Sequence, residues 1–302
     1  MKYLIIGAGG IGGALGGFLA NAGKDVTLIA RGAHQAAINQ NGLKVKSGIK
    51  GEICAKVKAC TTEEYNDNPD VAFVCVKGYS IDDAAELLSR CADKNTTVIP
   101  LLNIFGTGNQ LQKRLPDIEV LDGCIYITSF ISAPGEITQG GKLFKIIFGA
   151  RNGVITEKHE KISKALRDAG IRTELPTDIK RKCFQKYSFI SAIAAAGAYF
   201  DASMDIISKT PEMRDAFIGL TNEINALATA MGIPFEDDIL SANLKLLDNA
   251  AAGTTASMQK DLKAGKNSEI DGLVFEPVRL GRQYNVATPY FEKIAAHFGF
   301  NC

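Results

Sequence analysis

The sequence predicts an α/β domain built on a mostly parallel sheet, followed by an all-helical domain. Three observations carry this. Short apolar runs alternate with helix-like segments through the first half. One of those runs ends in a glycine-rich turn. After Asp178 every segment reads helical. With 302 residues, 46% of them hydrophobic, the chain can bury a core large enough for two domains. They are expected at residues 1–175 and 176–302, divided at Leu175-Pro176-Thr177-Asp178, with Asp178 a candidate helix cap.

The first strand is Tyr3-Leu4-Ile5-Ile6, apolar on both faces and closed by glycine. Gly7, Gly9 and Gly12 then form G-x-G-x-x-G where strand becomes helix. The first glycine permits the tight turn, the second lets a pyrophosphate approach the backbone, and the third lets helix pack on strand. The loop Gly7-Ala8-Gly9-Gly10-Ile11-Gly12 is therefore the expected dinucleotide cradle, at the positive end of the helix dipole. A secretory leader also begins with a basic residue and an apolar run, and Ala20-Asn21-Ala22 imitates its cleavage site. Seven glycines between Gly7 and Gly17 argue against that reading, since each weakens a helical apolar segment.

The second strand runs from Asp25 to Ala30 and is followed by Arg31, where an NAD-preferring domain carries Asp or Glu. A guanidinium there can grip the extra phosphate of NADP with paired hydrogen bonds. NADP(H) is therefore the expected cofactor. Gly42–Lys46 and Cys54–Lys58 read as alternating strands toward an edge, and Val71–Val76 as a central strand. A helix is expected over Ile81–Cys91 and a buried strand over Thr97–Leu102. From Ile118 to Phe148 the pattern turns antiparallel, with turns at Ala133-Pro134-Gly135 and Gly140-Gly141. A helix over Glu157–Asp168 and a short strand at Ile171–Glu174 close the first domain. The expected helices of the second are Ile179–Ala198, Met213–Met231, Asp237–Asp248, Ala256–Ala264, Phe275–Tyr284 and Pro289–His297. A ligand site is expected in the cleft between the domains.

Composition excludes several functions. A net charge of +1 supplies no basic field for nucleic acid or anionic lipid. No apolar run reaches the ~20 residues a membrane span needs. Seven cysteines without a C-x-x-C pair fit reduced thiols in the cytoplasm, and three scattered histidines predict no metal site.

Taken in order, GAGGIGG with Arg31, VCVKGYS, PLLNIFG, DIKRKCFQKYSFISA and SMQKDLKAGKNSEIDG resemble the ketopantoate reductase (2-dehydropantoate 2-reductase) family along nearly the whole chain. The resemblance implies a Rossmann-type domain followed by a helical domain of the 6-phosphogluconate-dehydrogenase type. It also implies NADPH-dependent reduction of ketopantoate to pantoate, a step toward pantothenate and coenzyme A.

Several positions carry chemistry on both grounds. Lys186 lies in an apolar helix, where a lysine is costly unless paired or facing a cavity. Desolvation there lowers a lysine's pKa toward neutrality, which suits a general acid, and Lys186 matches the family's catalytic lysine. Lys77 and Asn103 follow buried strands at their carboxyl ends. The resemblance gives Lys77 the adenosine end of the cofactor, and Asn103 both cofactor and substrate. Ser257 then matches a substrate-binding serine. Glu269 matches a glutamate that hydrogen-bonds in the site and holds both the lysine and the cofactor ribose. Asp261 and Asp271 are expected to be capping or surface carboxylates.

The chain departs from the family on the substrate side. Ile104 replaces the glycine after Asn103, Ile190 and Thr254 stand where asparagines are usual, and Phe184 replaces a tryptophan. Fewer hydrogen-bond partners would discriminate less sharply for a hydroxylated acid. Another small 2-oxo acid is therefore the nearest alternative substrate. A non-catalytic NADP sensor gains no support, having no reason to keep Lys186 and Glu269. A 3-hydroxyacid or 6-phosphogluconate-type dehydrogenase would need a basic phosphate cluster that the helical domain lacks. The apolar helices of the second domain leave room for a homodimer.

Overall fold

Strand β1 (Lys2–Ile6) can sit in mid-sheet because its side chains are apolar on both faces, with Tyr3 and Ile5 in one core cluster and Leu4 and Ile6 in another. In the computed structural model, which describes residues 1–300, it is followed by α1 (Gly10–Asn21), β2 (Asp25–Ile29), α2 (Gly32–Asn41), β3 (Leu43–Ser47), β4 (Gly51–Ala55), β5 (Lys58–Cys60) and β6 (Val71–Val74). Then come α3 (Ile81–Cys91), β7 (Thr97–Pro100), α4 (Thr107–Arg114), β8 (Glu119–Val120), β9 (Asp122–Ala133), β10 (Glu136–Gly149), α5 (Glu157–Asp168) and β11 (Arg172–Glu174). These elements belong to a first unit, Met1–Leu102 with Gly106–Ile179.

Six strands of this unit form a parallel sheet in the order β5-β2-β1-β6-β7-β8. On one face, α3 lays down Ile81, Ala84, Ala85 and Leu88, the spacing of a single helical stripe. On the other face α1 is sandwiched against a second sheet, β11-β10-β3-β4, to which β9 adds through β10. Two rows of glycine make room for that sandwich. A Cβ at Gly12 would lie 2.0 Å from the Gly7 carbonyl, and one at Gly16 2.5 Å from Leu28, both on the parallel sheet. At Gly13 and Gly17 it would meet Ile137 at 2.7 Å and Val45 at 2.6 Å, both on the second sheet. A helix this poor in intrinsic propensity is held by its packing on both sides.

Within this first unit, four details differ from the sequence-based expectation. Cys54–Lys58 is not one strand: β4 ends at Ala55 in the second sheet, and β5 begins at Lys58 to pair with β2 in the first. The segment 118–148 contains the short parallel β8 and then one long hairpin, β9–β10. Gly140-Gly141 is a bulge in that hairpin rather than a turn, because pairing resumes at Phe144 with Ile127. Helices α2 and α4 gave no signal, since α2 buries only Ile38 and α4 only Thr107, Gly108 and Leu111. By contrast α5 starts at Glu157 because Thr156 and His159 form a reciprocal capping box.

The second unit comprises Asn103–Phe105 and the chain from Lys180 onward. Its axis is α6 (Ile179–Phe200), followed by α7 (Met204–Lys209), α8 (Pro211–Ala230), α9 (Ile239–Asp248), α10 (Ser257–Lys263), α11 (Glu276–Tyr284) and α12 (Pro289–His297). The run Ala192–Ala196 is buried, and the core gathers around it Phe217, Leu220, Ile224, Leu247, Met258, Val278 and Phe291. A π-turn, Asp271–Phe275, leads directly into α11 and was not expected from the sequence. Helix α12 has no side-chain cap of its own. Glu223 of α8 supplies one, accepting the amides of Tyr290 and Phe291 at 2.6 and 3.0 Å. Burial outweighs those two bonds and pushes the Glu223 carboxyl up to about 7. Among the described residues no helix is long and apolar enough to cross a membrane.

Candidate active site

In the first unit the expected cofactor residues converge at the carboxyl ends of the central strands of the parallel sheet. Registers Ile6↔Ile29 and Ile6↔Val74 align the carboxyl ends of β1, β2 and β6. The ladder continues past the strands, with Ala8 N donating to Ile29 O at 3.0 Å and Cys75 N to Ile6 O at 2.8 Å. Gly7 turns there with φ +98, packed against Cys75 and Val76. Arg31 is the exposed N-cap residue of α2, and Lys77 precedes a 3-10 turn, Gly78–Ser80. Arg31 and Lys77 thus stand in the loops on either side of the glycine turn.

Within that turn the glycines do different work. Gly9 has no protein atom within 4 Å of where a Cβ would be, so its outer side is open. It is the N-cap of α1, whose first turn carries no acidic residue and no side-chain cap. The helix start is thus free of acidic side chains and side-chain caps beside the open side of Gly9, an arrangement that fits a pyrophosphate. Gly10 would strike the Ser129 carbonyl at 2.5 Å if it bore a Cβ, so β9 is what requires it bare. Ile11 is partly buried against the core, and Ala8 is buried.

The second unit holds the polar centre. Lys186 is only 7% exposed on α6, and its Nζ donates to Asn103 Oδ1 at 2.6 Å. Asn103 reaches that position through its neighbours. Phe105 stacks edge-on against Phe184, with ring centroids 4.6 Å apart, and lies 6.0 Å from Tyr187. Phe184 also stacks on Tyr187 and Phe235, which fixes this face of α6. Glu269 is 5% exposed and sits just ahead of Ile270 and the π-turn. Its carbonyl accepts Leu273 N at 3.0 Å. The π-turn is bonded to α6, since Tyr187 OH donates to Gly272 O at 2.8 Å and Ser191 Oγ to Leu273 O at 2.6 Å. The segments bearing Lys186 and Glu269 are thus tied by two buried bonds.

Ser257 is exposed at the first residue of α10 and takes no part in the Lys186–Asn103 bond. Gly265, with φ +62, turns the chain out of α10 toward Glu269. Asp271 pairs at the surface with Arg279, 3.2 Å from its Nη1. Ile190, one turn beyond Lys186, shares its helix face, while Ser188 turns to accept from Asn243 at 3.0 Å. The hydroxyl of Thr254 is spent locally on Ala251 O at 2.6 Å. Tyr187, Ser191 and Gly272 escaped sequence reasoning. The only sign of the first two is a pair of hydroxyls four residues apart, on one face of the helix that carries Lys186.

Comparison with known proteins decides what these arrangements share. Residues 3–153 match the family model described as ketopantoate reductase PanE/ApbA, and residues 178–300 match its C-terminal counterpart. The chain belongs to the ketopantoate reductase family. A 2-dehydropantoate 2-reductase from Pyrococcus abyssi is 30% identical over 96% of this chain and 94% of its own. An uncharacterized oxidoreductase, YkpB of Bacillus subtilis, is 26% identical over 98% of this chain and 97% of its own. Among solved structures, a PanE/ApbA family ketopantoate reductase from Ralstonia eutropha superposes with a TM-score of 0.90 at 25% identity, covering 98% and 97% of the two chains. A D-mandelate dehydrogenase in complex with NADH shares the fold, with a TM-score of 0.86 at 22% identity over 98% and 97% of the chains. Membership in the ketopantoate reductase family makes this chain a dinucleotide-binding oxidoreductase acting on CH–OH groups.

Proposed function

We propose that this protein catalyses NADPH-dependent reduction of 2-dehydropantoate to pantoate in the cytoplasm, with Lys186 as the proton donor. The observation that carries the reading is the Lys186–Asn103 bond: a buried ammonium on an apolar helix, donating to a neutral amide oxygen at 2.6 Å. When bound at the glycine turn, NADPH supplies the hydride. The chain's own residues do the rest. Asn103 orients the lysine, whose positive charge stabilises the alkoxide developing at the carbonyl oxygen, and Lys186 Nζ then gives up the proton. Glu269, buried on the π-turn segment, helps to hold the lysine and the cofactor ribose. Ser257 is the candidate contact for the substrate carboxylate.

The cofactor half of the reading rests on Arg31 and Lys77 flanking the glycine turn. Arg31→Ala is expected to weaken NADPH binding by about 10-fold or more, the scale of a lost charge-assisted hydrogen bond, and to leave NADH binding within about twofold. Fluorescence titration with both nucleotides checks this, and equal weakening of the two would remove Arg31 as the discriminator.

A second substrate reading is favoured by Ile190 on the lysine's face and by Thr254, whose hydroxyl is already engaged. Both take polar contacts from the substrate side and suit another small 2-oxo acid with an apolar substituent. NADPH oxidation by the purified protein, with ketopantoate beside a panel of apolar 2-oxo acids, separates the two. Turnover of ketopantoate above the rest supports the first. A preference for an apolar acid keeps the chemistry and replaces the substrate. No turnover with NADPH still bound would sink both. Size-exclusion chromatography with light scattering tests the accompanying proposal of a homodimer.

A further inference from the structure

The loop residues Asn103, Ile104 and Phe105 each grip a different partner within the second unit. Asn103 holds Lys186, and Phe105 packs on Phe184 and Tyr187. Ile104 lies on Gly272 so closely that a Cβ there would come within 2.7 Å of its Cδ1 and Cγ1 and 2.8 Å of its Cγ2. Gly272 is itself immobilised, because its carbonyl accepts the buried hydroxyl of Tyr187 and the next carbonyl accepts Ser191. Tyr187 is the chain neighbour of Lys186. A closed ring of contacts therefore runs from Lys186 through Asn103, Ile104, Gly272 and Tyr187 back to Lys186.

We infer that Ile104 and Gly272 are a matched positioning pair that fixes Asn103 against the lysine. The inference rests on the reading of Lys186 as proton donor. A β-branched side chain suits the task, since Cγ1 and Cγ2 leave Cβ directly and one χ1 setting places both. No rotation of a flexible end can clear a methyl group at position 272. Ile104 would have to move as a whole, carrying the adjacent Asn103 with it. The glycine is thus required by the isoleucine and not by its own backbone, because Gly272 lies in the helical π-turn.

Four forms of the full-length protein test this: wild type, G272A, I104A and I104A/G272A. Two readouts are taken, kcat with the best 2-oxo acid at saturating NADPH, and the rate at which an amine-acylating reagent labels Lys186, followed by peptide mass spectrometry. G272A is expected to lose about 10-fold or more in kcat, since displacements near 1 Å carry penalties of that order, while KM for NADPH stays within about twofold. Its Lys186 should label several-fold faster, the ammonium having lost its bond to Asn103. Removing the clashing atoms in I104A/G272A should return both readouts to the level of I104A alone, so the two effects are strongly non-additive.

Additive effects, or G272A labelling like wild type, would overturn the inference. If G272A does not fold, cooperative melting regained in I104A/G272A establishes the contact, and faster labelling in I104A alone reads the positioning. Unchanged labelling in I104A would then overturn it. Labelling also separates this inference from the proposed reaction. A coupled labelling response with no turnover of any 2-oxo acid would remove the reaction and leave the pair standing. Normal turnover with indifferent labelling would do the opposite.

Discussion

Lys186→Ala is expected to lower kcat by about 10²-fold or more, the scale of losing a positioned general acid, with NADPH binding unchanged within about twofold. Two contributions disappear together: the proton itself and the positive charge near the developing alkoxide. Thermal stability should behave differently. A buried lysine is costly to desolvate, so an alanine in its place removes that burden while leaving a cavity. The melting temperature is expected to hold or rise while activity collapses, as happens when a residue is retained for chemistry against stability. Lys186→Arg separates charge from proton transfer. Arginine keeps the charge but does not give up a proton at working pH, so it should recover little of the lost rate. An alanine variant turning over near the wild-type rate would overturn the assignment, and full recovery by arginine would reduce the lysine to an electrostatic role.

The parts of the fold that were legible in the sequence are those where one residue type has one physical explanation. β1 and β6 are unbroken apolar runs and lie side by side in mid-sheet. Helices α3, α5 and α12 carry strong boundary signals: acidic residues in the first turn of α3, a capping box before α5, a proline opening α12. Where a helix buries almost nothing, as α2 does with Ile38 alone, there is no stripe to read. The bulge at Gly140 reads as a turn in the sequence because glycine pairs mark both, and only the partner strand decides between them. In the second unit, the cost of a lysine in an apolar helix singled out Lys186 without any structure. Its bond to Asn103 spans 83 residues of sequence, and no local pattern encodes it. The packing of Ile104 on Gly272 is further from legibility still, since in sequence it is an isoleucine in a loop and a glycine in a helix. The structure also redistributes the glycine motif: Gly10, which reads as a cofactor contact, is bare because the Ser129 carbonyl occupies the space a side chain would need.

That division of labour predicts opposite outcomes at two glycines of one motif. Gly12→Ala would place a methyl 2.0 Å from the Gly7 carbonyl, 2.9 Å from Ile5 Cγ2 and 3.1 Å from Cys75 Cβ. One of these neighbours is main chain and Ile5 is wholly buried, so α1 must shift bodily away from β1. Overpacking of this kind costs roughly 1–3 kcal/mol or more. At about 2–4 °C per kcal/mol for a large domain, the melting temperature should drop by several degrees. NADPH binding should fall as well, since the helix end and the turn move together. Gly9→Ala meets no protein atom within 4 Å, and the residue's φ of −68 suits alanine, so stability should be unchanged. Its methyl would stand on the open side of the turn, in the space assigned to the pyrophosphate, and NADPH affinity should fall by about 10-fold or more, as when steric overlap replaces close backbone approach. Melting curves and nucleotide titrations on the two variants read both effects. A Gly9→Ala protein that binds NADPH like wild type would take the pyrophosphate away from this turn, and an unchanged melting temperature in Gly12→Ala would mean that α1 does not need its close approach to β1. Loss of binding without loss of stability at Gly9, beside loss of both at Gly12, is the pattern expected if one glycine faces the ligand and the other faces the fold.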